Sequence, residues 1–123
     1  MSYLNDIVMD SGLYFITNNA NRVDINSTVP INYTEATSTY SLGYKTSISV
    51  GSPVDGAVDG RQVVVSAISS GSIFNSGIAV YWSLSDTINS LLIAAGPLET
   101  SGVVNSGEYF DLTEFGVTIP DPS

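Results

Sequence analysis

The chain has 123 residues and a mass of 12.9 kDa, enough for one ordinary domain. Twelve acidic residues against three basic ones leave a net charge of −9, yet only 12% of residues are charged and 43% are hydrophobic, so the chain can bury a core. It holds neither cysteine nor histidine, which excludes disulfides, thiolate nucleophiles and any triad or metal site that needs imidazole, and the shortage of Lys and Arg speaks against nucleic acid as a partner.

The first residues, Met1-Ser-Tyr-Leu-Asn-Asp6, show no basic segment followed by an apolar run, and no stretch approaches the ~20 apolar residues of a membrane span, so synthesis and folding in a cytoplasm, without a membrane partner, is the expectation. Residues 3–17 read as a helix. Leu4, Ile7, Val8, Tyr14 and Phe15 fall on one side, and Met9, Leu13 and Ile16 widen the apolar surface. Ser2 serves as the N-cap, Asp6 sits in the first turn and Asn18-Asn19 supplies a left-handed stop. Gly12 costs this helix about 1 kcal/mol against alanine unless another backbone approaches closely there. So broad an apolar face fits a helix wedged between surfaces or partly against a neighbouring subunit.

Downstream the apolar period becomes two. Strands are expected at 22–25, 45–50, 61–69, 78–84, 91–95, 108–112 and 115–119. The 61–69 run is apolar on both faces and reads as central, while Ile78, Val80, Trp82 and Leu84 point inward, with Trp82 in the core. The 32–44 stretch reads as a polar, Tyr-bearing extended loop with room for one turn of helix, and 51–60 reads as a loop. Separated by Gly/Ser/Asn turns, these pieces predict an all-β fold: an antiparallel β-sandwich, jelly-roll-like or Ig-like, of seven or eight strands with one N-terminal α-helix. The division is a helix in 1–20, a sandwich in 21–119 and an extended tail in 120–123, where Pro120 and Pro122 cannot continue a ladder.

One echo is visible: Ser70-Gly-Ser-Ile-Phe-Asn-Ser-Gly77 against Ser101-Gly-Val-Val-Asn-Ser-Gly107. Either these are two duplicated lobes of a binding face, or two strands of one sandwich use the same turn chemistry.

Carboxylates are the titratable groups in supply, so a glycosidase with a pair of carboxyl groups is the enzyme to weigh. Glu108 and Asp111 are separated by an odd number and point to opposite faces of one strand, and Asp111 and Glu114 flank a turn. Solvated surface acids account for them, and no catalytic residue is assigned. Asp55 and Asp59, in a repeated Val-Asp-Gly, offer two oxygens to a Ca²⁺ that wants 6–8, and paired Asp-Gly turns explain them, so neither metal nor cofactor is implied. Tyr33, Tyr40 and Tyr44 either stack on sugar rings or anchor a protein interface, or they fold their loop back over the sandwich. An ion pair is expected for Arg61 with an aspartate such as Asp59 or Asp111.

Glu35-Ala-Thr-Ser-Thr-Tyr-Ser-Leu-Gly43 with Lys45-Thr46, Gly60-Arg61 leading into Val65-Ser-Ala-Ile, then Trp82, the 91–98 segment and the closing Ile119-Pro-Asp-Pro-Ser123 together resemble a group of small proteins encoded by tailed bacteriophages and prophages near their virion structural genes. Many of those proteins carry a cysteine near the position of Asn26 and a histidine where Tyr81 stands, so any role of those residues has no counterpart here. The resemblance implies a virion component on the capsid surface, a head decoration (cement) protein whose partners are the major capsid protein and further copies of itself, as a homotrimer. The interface expected on this reading comprises Leu4, Ile7 and Met9 of the helix, Tyr33, Tyr40 and Tyr44 of the loop, and Pro120 and Pro122 of the tail. The alternative is a tail- or fibre-associated adhesion module that stacks host surface glycans on the same tyrosines.

Overall fold

The structure, a computed structural model, describes residues 6–56 and 60–119, with side chains from residue 10 onward. An all-β fold carries one N-terminal helix. Strands β1 (Arg22–Asn26), β2 (Ser41–Thr46), β5 (Ile68–Ile73), β6 (Gly77–Asp86), β7 (Leu91–Val104) and β8 (Tyr109–Leu112) build an antiparallel sheet in the order β7-β6-β1-β2-β5-β8. Strands β3 (Val54–Asp55), β4 (Arg61–Val65) and β9 (Phe115–Ile119) build a second sheet in the order β3-β4-β9. One apolar core joins them, drawing Val23, Ile25, Ile68, Ile73, Leu84 and Phe110 from the large sheet and Val63 and Val65 from the small one. The expectation of a β-sandwich is met.

Two segments serve both sheets. The chain from β4 to β5 lies antiparallel to the chain from β8 to β9: Val65 faces Phe115 in one sheet and Ile68 faces Leu112 in the other. The ribbon bends at Ser66-Ala67 and at Thr113-Glu114, so these two corners are where the fold passes from sheet to sheet. The expected 61–69 strand is therefore two strands. Its first half is central as foreseen, between β3 and β9. At the far end of the large sheet the 72–76 and 105–108 turns clasp one another. Gly107 N–H donates to the Ile73 carbonyl at 2.9 Å, and Ser106 N–H to the Ser76 hydroxyl at 2.9 Å. The echoed segments thus meet in one place, as shared turn chemistry, and are not two lobes.

Helix α1 (Asp6–Asn19) runs two residues past the expected end and is turned differently. Leu13, Ile16 and Ala20 are buried, whereas Tyr14 and Phe15 are exposed. Two polar anchors on the Leu13 side fix this rotation: Asp10 meets Arg61 of β4, and the Thr17 hydroxyl donates to the Gly51 carbonyl at 2.8 Å. Neither Asn18 nor Asn19 adopts the left-handed stop. The Asn19 side-chain amide instead closes the helix by donating to the Phe15 carbonyl at 2.9 Å. No backbone crowds Gly12, where an added Cβ would meet only the Ile119 Cδ1 at 3.6 Å. Leu4, Ser2, Asp59, Pro120 and Pro122 lie outside the described residues, as do the side chains of Ile7 and Met9.

Other differences have local causes. The polar 32–44 stretch divides: a π-helical turn at Glu35–Thr39, then β2, which begins four residues before the expected strand and ends where Ser47 turns to φ 56°. Ile78, expected inward, is 56% exposed, and Ala79 is buried. Residues 77–80 of β6 pair with β7 alone, beyond the last rung to β1 (Tyr81 with Asn26), and a two-stranded ribbon twists freely, which turns Ile78 outward opposite Val103. Trp82 is half-buried against the core, stacked at 4.6 Å between ring centroids on Phe115.

Candidate functional site

Across the outer face of the large sheet one row of residues stands in register: Ala95, Ser83, Asp24, Tyr44, Ser72 and Tyr109. The 32–40 segment covers the middle of that row. It is built by a reciprocal cap, in which Glu35 N–H donates to the Asn32 side-chain oxygen (2.8 Å) and Ile31 N–H donates to the Glu35 carboxylate (3.0 Å). Asn26, fully buried, donates to the Ala36 carbonyl at 2.8 Å and accepts from the Ser83 hydroxyl at 2.8 Å, tying the segment down. Arg22 donates to the Thr37 carbonyl (3.2 Å) and grips Asp24 with two bonds of 2.8 and 2.9 Å, and the Ser41 hydroxyl adds a third at 2.6 Å. Asp24 is 0% exposed. Burial pushes its carboxyl up, the Arg22 and Ser41 bonds pull it back, and burial prevails.

This polar layer carries an aromatic strip. The Arg22 guanidinium lies 4.1 Å from the centre of the Tyr44 ring, a cation–π contact that holds the ring from beneath. Phe74 packs on Tyr44 at 6.0 Å between centroids, tilted by 59°, and Tyr109, 73% exposed, continues the row beyond Ser72. At the neighbouring end of the sheet Ile78 and Val103 form a cross-strand pair that faces solvent.

Of the expected interface residues, the structure brings Tyr44 to the surface and leaves Tyr33 and Tyr40 half-buried, folding the 32–40 segment onto the sheet. Tyr33 and Tyr40 thus follow the fold-back alternative, while Tyr44 stands exposed on β2. Phe74, Tyr109, Ile78 and Val103 were missed. The alternation in Glu108-Tyr-Phe-Asp-Leu112 was the signal available for Tyr109, since a buried Phe110 sends Tyr109 to the other face.

Arg61 does not pair with Asp111, and Asp59, the other expected partner, lies outside the described residues. Arg61 donates two bonds to Asp10 (2.8 and 3.0 Å) and one to Asp55 (2.8 Å), locking α1 to the small sheet. Asp55 therefore neutralises a guanidinium, and among the described residues no cluster of three or more acidic side chains is arranged to hold a metal ion.

A cleft of about 300 Å³ opens at the corner between the sheets, lined by the Trp82 and Phe115 rings, by Pro97, Leu98 and Leu112, and by Glu99, Thr100, Asp111, Thr113 and Glu114. Its two rims have different origins. One is the Thr113-Glu114 corner. The other is a bulge in β7, where residues 98–101 stand opposite Val80 alone, because Pro97 pairs with Tyr81 and Gly102 with Ala79. Asp111 is held by Ser70, whose N–H donates to its Oδ1 at 2.9 Å. Asp111, Glu114 and Glu99 are all lining residues of this cleft, and Glu108 is not. The chain matches no protein-family model, no curated protein and no solved structure.

Proposed function

We propose that this protein is a head decoration (cement) protein of a tailed bacteriophage or prophage, made in the host cytoplasm and carried on the capsid surface, where homotrimers bind and stabilise the shell of major capsid protein. The reading assigns the chain no reaction. The observation that carries it is the Tyr44–Phe74–Tyr109 strip: two rings displayed on strands of the large sheet and one in the turn after β5, with Tyr44 braced on a half-buried guanidinium. Rings held this way lose little entropy on docking, which is why aromatic side chains dominate protein contacts. The charge of −9 keeps the remainder soluble in a particle's outer layer. The likeness to phage virion proteins supplies the partner.

The test is reconstitution. Particles assembled without this protein should regain resistance to heat and osmotic shock when the wild-type protein is added. A Phe74→Ala/Tyr109→Ala variant should bind at least about tenfold more weakly, the loss of roughly 1.4 kcal/mol or more that aromatic contacts carry. Particles that neither retain the wild-type protein nor gain resistance from it would overturn the reading. A second reading, a tail- or fibre-associated module for host glycan, draws on one feature: Tyr44 and Tyr109 stand two strands apart, roughly 10 Å, with the Ser72 hydroxyl between them, an arrangement suited to stacking sugar rings. Glycan-array binding that disappears with Tyr109→Ala would favour it.

A further inference from the structure

We propose that the cleft at the sheet-to-sheet corner is a receptor for one cationic side chain, arginine above all, presented by a segment of another protein. The inference does not rest on the capsid reading, since the cleft involves none of the aromatic strip.

Its dimensions come first. A volume of about 300 Å³ is at the small end of ligand pockets, room for one long side chain and not for an oligosaccharide. Its lining is divided in the same way as an arginine. Pro97, Leu98 and Leu112 offer apolar contact to a methylene stem, and the packed Trp82–Phe115 pair offers aromatic surface to a planar guanidinium. The rim residues Glu99 and Glu114, with two threonines and Asp111, which already accepts from the Ser70 N–H, are a source of acceptors for its five N–H groups.

Charge then selects among ligands of that size. Three acidic residues line the cleft and no basic one does. An anion is repelled there, and a neutral sugar leaves the field unbalanced. A cation is drawn in. An internal source for that cation is lacking. Of the chain's three basic residues, Arg22 is engaged by Asp24, Arg61 by Asp10 and Asp55, and Lys45 stands on β2 opposite Val23, away from the cleft. A second copy brings the same poor supply, so the occupant belongs to a different, more basic chain. Access fits as well. Residues 97–100 belong to β7, an edge of the large sheet paired on one side by β6, so an extended segment can run along that edge and drop a side chain beside it.

Trp82 is the chain's single tryptophan, so its fluorescence and its indole N–H resonance report on the cleft alone. The full-length protein is titrated with N-acetyl-arginine amide and, in parallel, with its neutral isostere N-acetyl-citrulline amide. The expected result is a saturable response to the arginine compound in the millimolar range, about tenfold weaker or more for citrulline. The response should also fall when ionic strength rises from about 0.02 M to about 0.5 M. Glu99→Gln/Glu114→Gln, changes at exposed side chains, should abolish the arginine response while leaving circular dichroism unchanged. Equal responses to both compounds, a response to N-acetylglucosamine in place of arginine, or no movement of the Trp82 signals at all would each overturn the proposal.

Discussion

Asp10 accepts two hydrogen bonds from Arg61, which hold its carboxyl below the ordinary aspartate range. Asp86 is held low in the same sense by the Asn89 side-chain amide and by the Ile88 and Asn89 backbone N–H groups it caps. The stabilisation these two supply is complete above the unfolded aspartate value of about 3.9 and is lost as pH falls through their depressed folded values. Asp24 runs the other way. Burial raises its folded value, so the fold favours its protonated form, and this group's contribution is full below the unfolded value and lost as pH rises through the raised one. Asp10→Asn and Asp86→Asn should therefore lower the urea midpoint at about pH 7 and leave it nearly unchanged at about pH 2, where wild type has lost the same interactions. Urea titrations of the three proteins at both pH values check this.

The π-helical turn is tied to the strand beneath it by two side chains, Arg22 and the fully buried Asn26. Asn26→Ala removes the donor to Ala36 and the acceptor for Ser83 at a site with 0% exposure, leaving a carbonyl and a hydroxyl unpaired. The expected cost is about 2–4 kcal/mol. Hydrogen exchange should quicken at the amides of Ala36 and Tyr40 well before those of β4 and β9, and equal acceleration everywhere would show that the segment is not held through Asn26. At this scale the sequence was partly transparent. Residues 22–25 and 115–119 read correctly because β-branched residues alternate between Gly, Asn and Pro signals. The onset of β2 did not, since Ser-Leu-Gly-Tyr carries one buried apolar side chain and no alternation. Asn32-x-x-Glu35 was a legible capping box, hidden inside a polar stretch that shows no helical period. The helix was foreseen but its face was not, because the anchor that rotates it, Arg61, lies 51 residues from Asp10. The cleft was wholly illegible. It needs Trp82, a four-against-one bulge in β7 and the corner after β8 brought together, and no local pattern encodes that.

Taken whole, the molecule is a sheet folded at a corner, closed by a helix that is tied to β4. Most of its pairings join segments distant in sequence, β1 to β6 and β4 to β9 among them, so slow folding, in milliseconds to seconds, is the expectation for its assembly. The bent ribbon of β4–β5 against β8–β9 has a mechanical consequence. Each sheet borrows a rung of the other's ladder: pulling Phe115 off Val65 loosens Leu112 from Ile68, a corner's length away. Neither layer can therefore peel open alone. Calorimetry should record a single heat-absorption peak whose van't Hoff and calorimetric enthalpies agree, and two resolved peaks would mean that the hinge uncouples what it joins.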